Sequence, residues 1–242
     1  MTILFIPVAP LNKTKTRLKT CFSEEKLIQL TLAMVKDICY KVKNISIFKE
    51  IIVYCRNHEV LDIARKNGLI GYQENINNNI KNFDDVIQSL KKIAISEFES
   101  DKMLITYIDL VLISKNNLIE LNNYLENADM VICPEIRSLG ISILGGKPEL
   151  IPRCFSDPKT PSLLVLLKIL KNKNIENIKI YDSFRASFDL DVPEDCILAL
   201  EYMKLFNLTN SETYKFLKNN LKFTLEKENP INTRKFRLKI KK

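Results

Sequence analysis

The sequence predicts one α/β domain with a single open, mostly parallel sheet and helices on both faces. Two observations predict it. Short apolar runs rich in β-formers alternate with segments of helical period from residue 3 to residue 108. The run at 102–108 is apolar almost throughout, which is typical of a parallel strand covered on both faces. The chain has 242 residues, and we place this domain at residues 1–222.

The first half of the chain alternates predicted strands with predicted helices. Ser23 followed by two acidic residues is a favourable helix start. Gly68 is a favourable helix end. The predicted strands are 3–8, 50–55, 69–72 and 102–108. The predicted helices run from Ser23 to Val42, over 59–67, and from about Phe83 to Ile93.

The second half is less regular. Strands are predicted at 130–134 and 141–144, with Gly145-Gly146 as a turn after them. A further strand is expected at either 177–181 or 186–190. The predicted helices are 162–172, 194–206 and one introduced by 209–211.

Composition excludes several classes of protein. A hydrophobic content of 46% with 27% charged residues is typical of a soluble globular protein, and no apolar run is long enough to cross a bilayer. The stretch from Met1 to Pro7 has no basic leader and no small-residue cleavage site, so we expect a first strand and a cytoplasmic location. The six cysteines are widely spaced, which favours buried thiols over zinc ligands or disulfides. His58 is the only histidine and is expected at the surface or in a helix cap.

The formal net charge of +8 would usually suggest nucleic acid. Most of the excess lies in the last nine residues, which contain six basic residues and no acidic one. We therefore predict no nucleic-acid partner and a disordered, solvated tail at 223–242.

Asp189 and Asp191 precede Pro193, Glu194 and Asp195, a pattern typical of an extended segment that passes into a helix. Alternate side chains of an extended chain share a face, so the two carboxylates can aim at one point. They would repel each other there without a cation between them. The pair therefore predicts magnesium, which prefers carboxylate and phosphate oxygens. The alternative is that one of the two merely caps the helix.

Basic side chains follow the first predicted strand at Lys13, Lys15 and Arg17, and Asp109 ends the strand at 102–108. Ligands of open parallel sheets bind beyond the carboxyl ends of the strands, so all of these are expected at one crevice with the two later aspartates. The basic residues predict phosphate contact, Lys15 and Arg17 ahead of Lys13. The alternative is a solvated run of charge.

Several stretches, taken in order, resemble one family. They are Ile6-Pro7-Val8, Lys15-Thr16-Arg17-Leu18, Leu32-x-Met34-x-x-Asp37, Asp109-Leu110, Tyr181-Asp182-Ser183 and Asp189-Leu190-Asp191-Val192-Pro193-Glu194-Asp195. Over roughly residues 3–206 the chain resembles the 2-phospho-L-lactate guanylyltransferases, small nucleotidyltransferases of the molybdopterin-guanylyltransferase-like type. The resemblance implies a nucleotide-diphospho-sugar-transferase-like, Rossmann-like domain. It also implies transfer of GMP from GTP to 2-phospholactate, or to phosphoenolpyruvate in bacterial relatives, with release of pyrophosphate in coenzyme F(420) biosynthesis.

The same resemblance assigns roles to residues. Asp109, Asp189 and Asp191 would hold magnesium, and Lys15, Arg17 and Asp109 would form the catalytic set. Asn77 would contact the base, although an ordinary polar loop explains its segment equally well. The implied nucleotide contacts are Pro7, Lys13, Lys15, Arg17 and Asn77.

The implied acceptor contacts are Gly140, Ser142 and Ser162, and a helix N-cap is the alternative for Ser162. Ile141 stands where the family has a threonine, and residues 155–162 replace a glycine-containing loop. Smaller departures are at Ala9 and Val111.

These departures leave other functions open. The chain could be a nucleotidyltransferase with a different phosphorylated acceptor, a non-catalytic nucleotide-binding relative, or a nucleotide-sugar glycosyltransferase. The loop from Lys15 to Leu18 favours a nucleotidyltransferase over a glycosyltransferase. The expected partners are GTP and a small phosphorylated acid, and a homodimer stays open.

Overall fold

The computed structural model describes residues 1–74, 82–227 and 236–240. Its centre is a sheet of seven strands, and six of the seven run in one direction. The strands are β1 (Thr2–Pro7), β2 (Glu50–Cys55), β3 (Ile70–Gln73), β4 (Lys102–Ile105), β5 (Met130–Pro134), β6 (Ile141–Gly146) and β7 (Ile178–Ile180). Across the sheet their order is β3-β2-β1-β4-β6-β5-β7. Only β6 is antiparallel to its neighbours, β4 and β5.

Helices cover both faces of the sheet, as the alternating pattern predicted. They are α1 (Glu24–Val42), α2 (His58–Lys66), α3 (Phe83–Ser96), α4 (Lys115–Glu126), α5 (Ser162–Asn172), α6 (Phe184–Ser187), α7 (Pro193–Leu205) and α8 (Glu212–Asn220). Apolar residues of α3 and α5 pack on one face, and those of the other helices pack on the opposite face. In β1, Ile3 and Phe5 face the α3 side while Leu4 and Ile6 face the other. This alternation makes a three-layer domain with two apolar cores.

The predicted fold class is confirmed, and so is the start of α1. The Ser23 side chain accepts a hydrogen bond from the amide of Lys26 at 3.4 Å and caps the helix. The apolar residues that recur along the helix with the helical period are buried. They are Leu27, Leu30, Met34, Ile38 and Val42. Among the described residues, no helix is both long and apolar enough to cross a membrane.

The turn predicted at Gly145-Gly146 is wrong, because both residues lie within β6. A Cβ on Gly145 would lie 2.7 Å from a methyl carbon of Leu104 and 2.8 Å from one of Leu125. Leucine side chains of the neighbouring strand and helix fill the space beside this glycine, so it serves close packing and not a turn.

Of the remaining elements, α4 differs from the prediction and β7 agrees with it. The helix α4 lies where no element was predicted, because its many asparagines weaken the apolar pattern that marks a helix. Of the two alternatives for the late strand, β7 confirms the one at 177–181. The segment at 186–190 instead contains the end of the short helix α6 and an irregular stretch.

The predicted disorder of the tail is wrong for two five-residue strands. Phe223–Lys227 (β8) and Phe236–Ile240 (β9) pair in an antiparallel sheet, with Phe223 opposite Ile240. Both segments alternate apolar and polar residues along the sequence, which is the period of a strand. The prediction of disorder rested on the basic charge of the tail and did not use this alternation.

Candidate active site at the carboxyl edge of the sheet

A loop after β1 carries a buried lysine. Two short 3₁₀ turns, Leu11–Lys13 and Thr16–Leu18, flank Lys15. Leu18 is fully buried in the core and anchors the loop. Lys15 has φ 49° and ψ 38°, the left-handed region that costs a residue with a side chain roughly 1–2 kcal/mol. The packing therefore holds Lys15 in a conformation that the loop alone would not favour.

Lys15 lies between two carboxylates. Its Nζ is 2.6 Å from Oδ2 of Asp109 and 3.4 Å from Oδ1 of Asp191. Arg17 pairs with the other oxygen of Asp191. The Lys15 side chain is only 6% exposed, whereas that of Arg17 is 72% exposed. Burial alone would lower the pKa of Lys15, but the attraction of Asp109 and Asp191 outweighs it and raises the pKa.

A main-chain hydrogen bond holds the segment of Asp189 and Asp191 beside Asp109. The amide of Leu190 donates to the carbonyl oxygen of Asp109 at 3.0 Å. The cap of α7 is supplied by Asp195, whose carboxylate accepts from the amide of Asp191 at 3.0 Å and from the next amide at 2.8 Å. The alternative that Asp189 or Asp191 merely caps this helix is therefore wrong. Both remain available to the crevice.

The crevice concentrates negative charge. Burial raises the pKa of Asp189 from 3.8 to about 7, and the neighbouring carboxylates of Asp109 and Glu135 add to that rise. Lys15 opposes the rise without cancelling it. A ligand that brought further negative charge to these carboxylates would be repelled unless a cation came with it.

Two cavities meet at this crevice, and Asp109 and Asp191 line both. The first has a volume of about 400 Å³ and is called the β1 cavity, because residues 7–10 at the end of β1 line it. It includes Pro7, Lys13 and Lys15, three of the predicted nucleotide contacts. The second has a volume of about 500 Å³ and is called the β6 cavity, because residues 140–142 at the start of β6 line it.

The predicted acceptor contacts come together in the β6 cavity. Gly140, Ser142 and Ser162 line it, together with Arg17 and Asp189. Ser162 is the first residue of α5 and the N-cap position belongs to the preceding proline, so the helix-cap alternative for Ser162 is wrong. The predicted base contact at Asn77 lies outside the described residues.

The donor chemistry of the crevice fits a hard divalent cation, because carboxylate oxygens are the ligands that magnesium prefers. Within the described ranges, no three or more His, Cys, Asp or Glu side chains are grouped so that they could hold a metal ion by themselves. The Lys15 ammonium lies between Asp109 and Asp191. Magnesium usually takes one or two carboxylates together with substrate phosphates, so it needs no cage of protein ligands.

Sequence reasoning missed several residues of the site. Glu135 directly follows β5, the same signal that marked Asp109. Glu74 is buried in the β1 cavity with its carboxylate 2.7 Å from the guanidinium of Arg56, and it follows β3 in the same way. The hydroxyl of Tyr107 is buried without a hydrogen-bond partner among the described residues.

Rings from three separate segments also line the β6 cavity. Phe83 stands at the start of α3, Tyr107 follows β4, and Phe155 belongs to the loop before α5. Phe83 is 5.7 Å from Tyr107 and 5.1 Å from Phe155, measured between ring centroids. No local sequence signal joins three aromatic residues so far apart in the chain.

The fold and the two adjoining cavities define an α/β domain with a divided site at the carboxyl edge of its sheet. Its fold is similar to that of a Desulfovibrio desulfuricans protein named as a nucleotide-diphospho-sugar transferase, with a TM-score of 0.70 at 14% identity over 90% of this chain and 94% of that one. It is also similar to a cytidylyltransferase from Leptospira borgpetersenii, with a TM-score of 0.54 at 16% identity over 90% and 92% of the two chains.

The chain belongs to the family described as "Guanylyl transferase CofC like", which it matches over residues 1–241. A 2-phospho-L-lactate guanylyltransferase from Methanocaldococcus vulcanius is 34% identical over 80% of this chain and 81% of its own. The same-named protein from Methanocaldococcus jannaschii is 33% identical over 79% of each chain. The resemblance found in the sequence is therefore confirmed.

Proposed function

We propose that this protein transfers the GMP group of GTP to 2-phospho-L-lactate, or to phosphoenolpyruvate, and releases pyrophosphate. The names of its relatives support GTP and 2-phospho-L-lactate. The observation that carries the proposal is the position of Lys15, whose ammonium bridges Asp109 and Asp191 where the two cavities meet. A cytoplasmic location and a homodimer stay predictions.

The reaction joins two anions, so it depends on aligning them and neutralising their negative charge more than on proton transfer. An oxygen of the acceptor phosphate attacks the α-phosphorus of GTP. A new P–O bond forms, and the bond from the α-phosphorus to the oxygen leading to the β-phosphate breaks. The electron pair leaves with pyrophosphate. The attacking phosphate is already ionised near neutral pH, so the chain needs no histidine as a general base.

The two cavities give each substrate its place in this proposal. The β1 cavity takes the nucleotide, with Lys13 and Lys15 toward its phosphates. The β6 cavity takes the acceptor, with Ser142, Ser162 and Arg17 as donors to its phosphate or carboxylate. Lys13 and Lys15 line the β1 cavity, so they can also meet the negative charge that grows on the departing pyrophosphate.

We also propose that Asp109, Asp189 and Asp191 hold magnesium. When bound there, magnesium would neutralise the phosphate oxygens between the two substrates. The excess of carboxylates in the crevice supports this, because an acidic acceptor could not otherwise approach them. Lys15 would then exchange its carboxylate partners for the nucleotide phosphates.

The proposal is tested by incubating the purified protein with magnesium, each of the four nucleoside triphosphates in turn, and either 2-phospho-L-lactate or phosphoenolpyruvate. Pyrophosphate release is the readout. We expect release with GTP and an acceptor, and none when magnesium is chelated. Preference for another nucleotide would overturn the choice of GTP, and release without either acid would overturn the choice of acceptor class.

A further inference from the structure

The first turn of α3 holds a stretch of main chain that belongs to the β6 cavity. Asp84 lies in this turn and is 5% exposed. One oxygen of its carboxylate accepts from the amides of Cys154 at 2.9 Å and Phe155 at 3.0 Å. The other oxygen accepts from the amide of Ser156 at 3.0 Å. Three main-chain donors therefore converge on one buried carboxylate, and hydrogen bonds to a charged group are stronger than those between neutral groups.

Neighbouring contacts brace the same segment. Arg153 pairs with Asp85 at 2.6 Å. Lys91, two turns further along α3, donates to the carbonyl oxygen of Ile151 at 2.7 Å. The rings of Phe83 and Phe155 meet edge to face at an interplanar angle of 89°. Residues 151–156 are therefore fastened to α3 at several points, with Asp84 at the most buried of them.

Asp84 lines neither cavity, yet the residue that it holds does. Phe155 is part of the wall of the β6 cavity, and its own amide is one of the three donors. The ring adds an apolar surface to a cavity that Ser142 and Ser162 also line. Such a wall suits the small apolar group that a phosphorylated hydroxy acid carries beside its phosphate.

The nucleotide side of α3 is held by contacts that do not include Asp84. Asn82 lines the β1 cavity and forms a capping box with Asp85, with hydrogen bonds of 3.1 and 3.2 Å. Since Asp84 takes no part in this box, the first turn of the helix does not depend on it. A change at Asp84 should therefore act more on the β6 cavity than on the β1 cavity, which the held segment reaches only through the contact of Phe155 with Phe83.

We propose that Asp84 is a positioning residue that sets the affinity for the acceptor by holding Phe155 in the wall of the β6 cavity. The inference deepens the proposed function and rests on it for the identity of the acceptor. Asp84 touches no substrate and acts through the main chain of residues 154–156.

The test compares Asp84→Asn with Ile87→Val. Asparagine keeps the size of the side chain but replaces one carboxylate oxygen with an NH2 group. That group is a donor and cannot accept a hydrogen bond from the main-chain amides that face it. Ile87 is buried in the core on the same helix and lines neither cavity, so its variant controls for a general loss of stability. For Asp84→Asn we expect the KM for 2-phospho-L-lactate to rise about tenfold, with kcat and the Kd for GTP little changed. For Ile87→Val we expect all three to stay near their normal values.

Hydrogen exchange supplies a readout that does not need activity. The amides of Cys154, Phe155 and Ser156 should exchange slowly in the unmodified protein and faster in Asp84→Asn, but not in Ile87→Val. Equal exchange in all three proteins would overturn the inference. So would an increase in KM no larger than that of Ile87→Val, or an equal weakening of GTP binding.

A second variant covers the case in which Asp84→Asn fails to fold. Phe155→Leu keeps an apolar side chain but removes the ring, and we expect it to raise the KM for the acceptor while GTP binds normally. An unchanged KM would overturn the role of the wall. If the unmodified protein released no pyrophosphate, the proposed function would be refuted. The exchange of the three amides would still show whether Asp84 fixes residues 154–156.

Discussion

Replacing Lys15 by methionine removes its positive charge and keeps most of its length. Two carboxylates, those of Asp109 and Asp191, then lose their shared cation. Removing one partner of a buried ion pair costs about 3–5 kcal/mol. The two aspartate side chains are 23% and 29% exposed and can recruit water, so we expect the lower end, about 3 kcal/mol. For a domain of this size, that lowers Tm by roughly 6–12 °C.

Lys13→Met is the matched control. Lys13 lies on the same loop and lines the same cavity, but it is exposed and makes no ion pair with any residue that the structure describes. We expect little change in its Tm. Thermal unfolding in chelator gives the difference between the two variants directly. Magnesium should return part of the stability lost by Lys15→Met, because the cation can take the place of the ammonium between the carboxylates.

The activity of Lys15→Met should fall further than its stability suggests. Losing one preorganised donor to transition-state charge costs about 10²–10³ in kcat. Pyrophosphate release at saturating substrates, measured well below the Tm of the variant, separates this loss from unfolding. If Lys15→Met matched Lys13→Met in both Tm and kcat, the bridging role of Lys15 would be refuted.

Further predictions concern the metal, the acceptor, pH and the tail. Asp191→Asn should lower turnover by orders of magnitude with the fold retained, and near-normal activity at ordinary magnesium would contradict the metal proposal. Ile141→Thr should lower the KM for 2-phospho-L-lactate about tenfold by supplying a hydroxyl, without changing the Kd for GTP in calorimetry. In chelator, the folded-state pKa of Asp189 is raised to about 7 from 3.8, so the wild type should lose stability relative to Asp189→Asn as pH rises from 4 to 7. Parallel curves of Tm against pH would refute that assignment. A chain ending at Glu228 lacks β9, and β8 and β9 form a sheet separate from the seven strands that carry the site, so its GTP affinity should be unchanged.

Local patterns in the chain were enough to predict the fold class and half of the site. Alternation of short apolar runs with helical periods requires a parallel sheet with covered faces, and the carboxyl ends of such strands share one edge. Residues that follow strands could therefore be assigned to one crevice from their positions in the sequence. That reasoning correctly placed Lys15, Asp109 and Asp191 beside one another. The same reasoning applies to Glu135, the acidic residue that directly follows β5.

Tertiary structure alone decided what these residues do to one another. The sequence could not show that Lys15 bridges two of the carboxylates, because that depends on a left-handed residue held by the burial of Leu18. Nor could it show that Asp84 accepts hydrogen bonds from the main chain of a loop 70 residues further along the chain. Gly145 illustrates the same limit, since a glycine needed for close packing looks like a glycine needed for a turn. Periodicity and capping are local properties that a sequence displays, whereas burial, desolvation and long-range contact arise only when distant segments pack together.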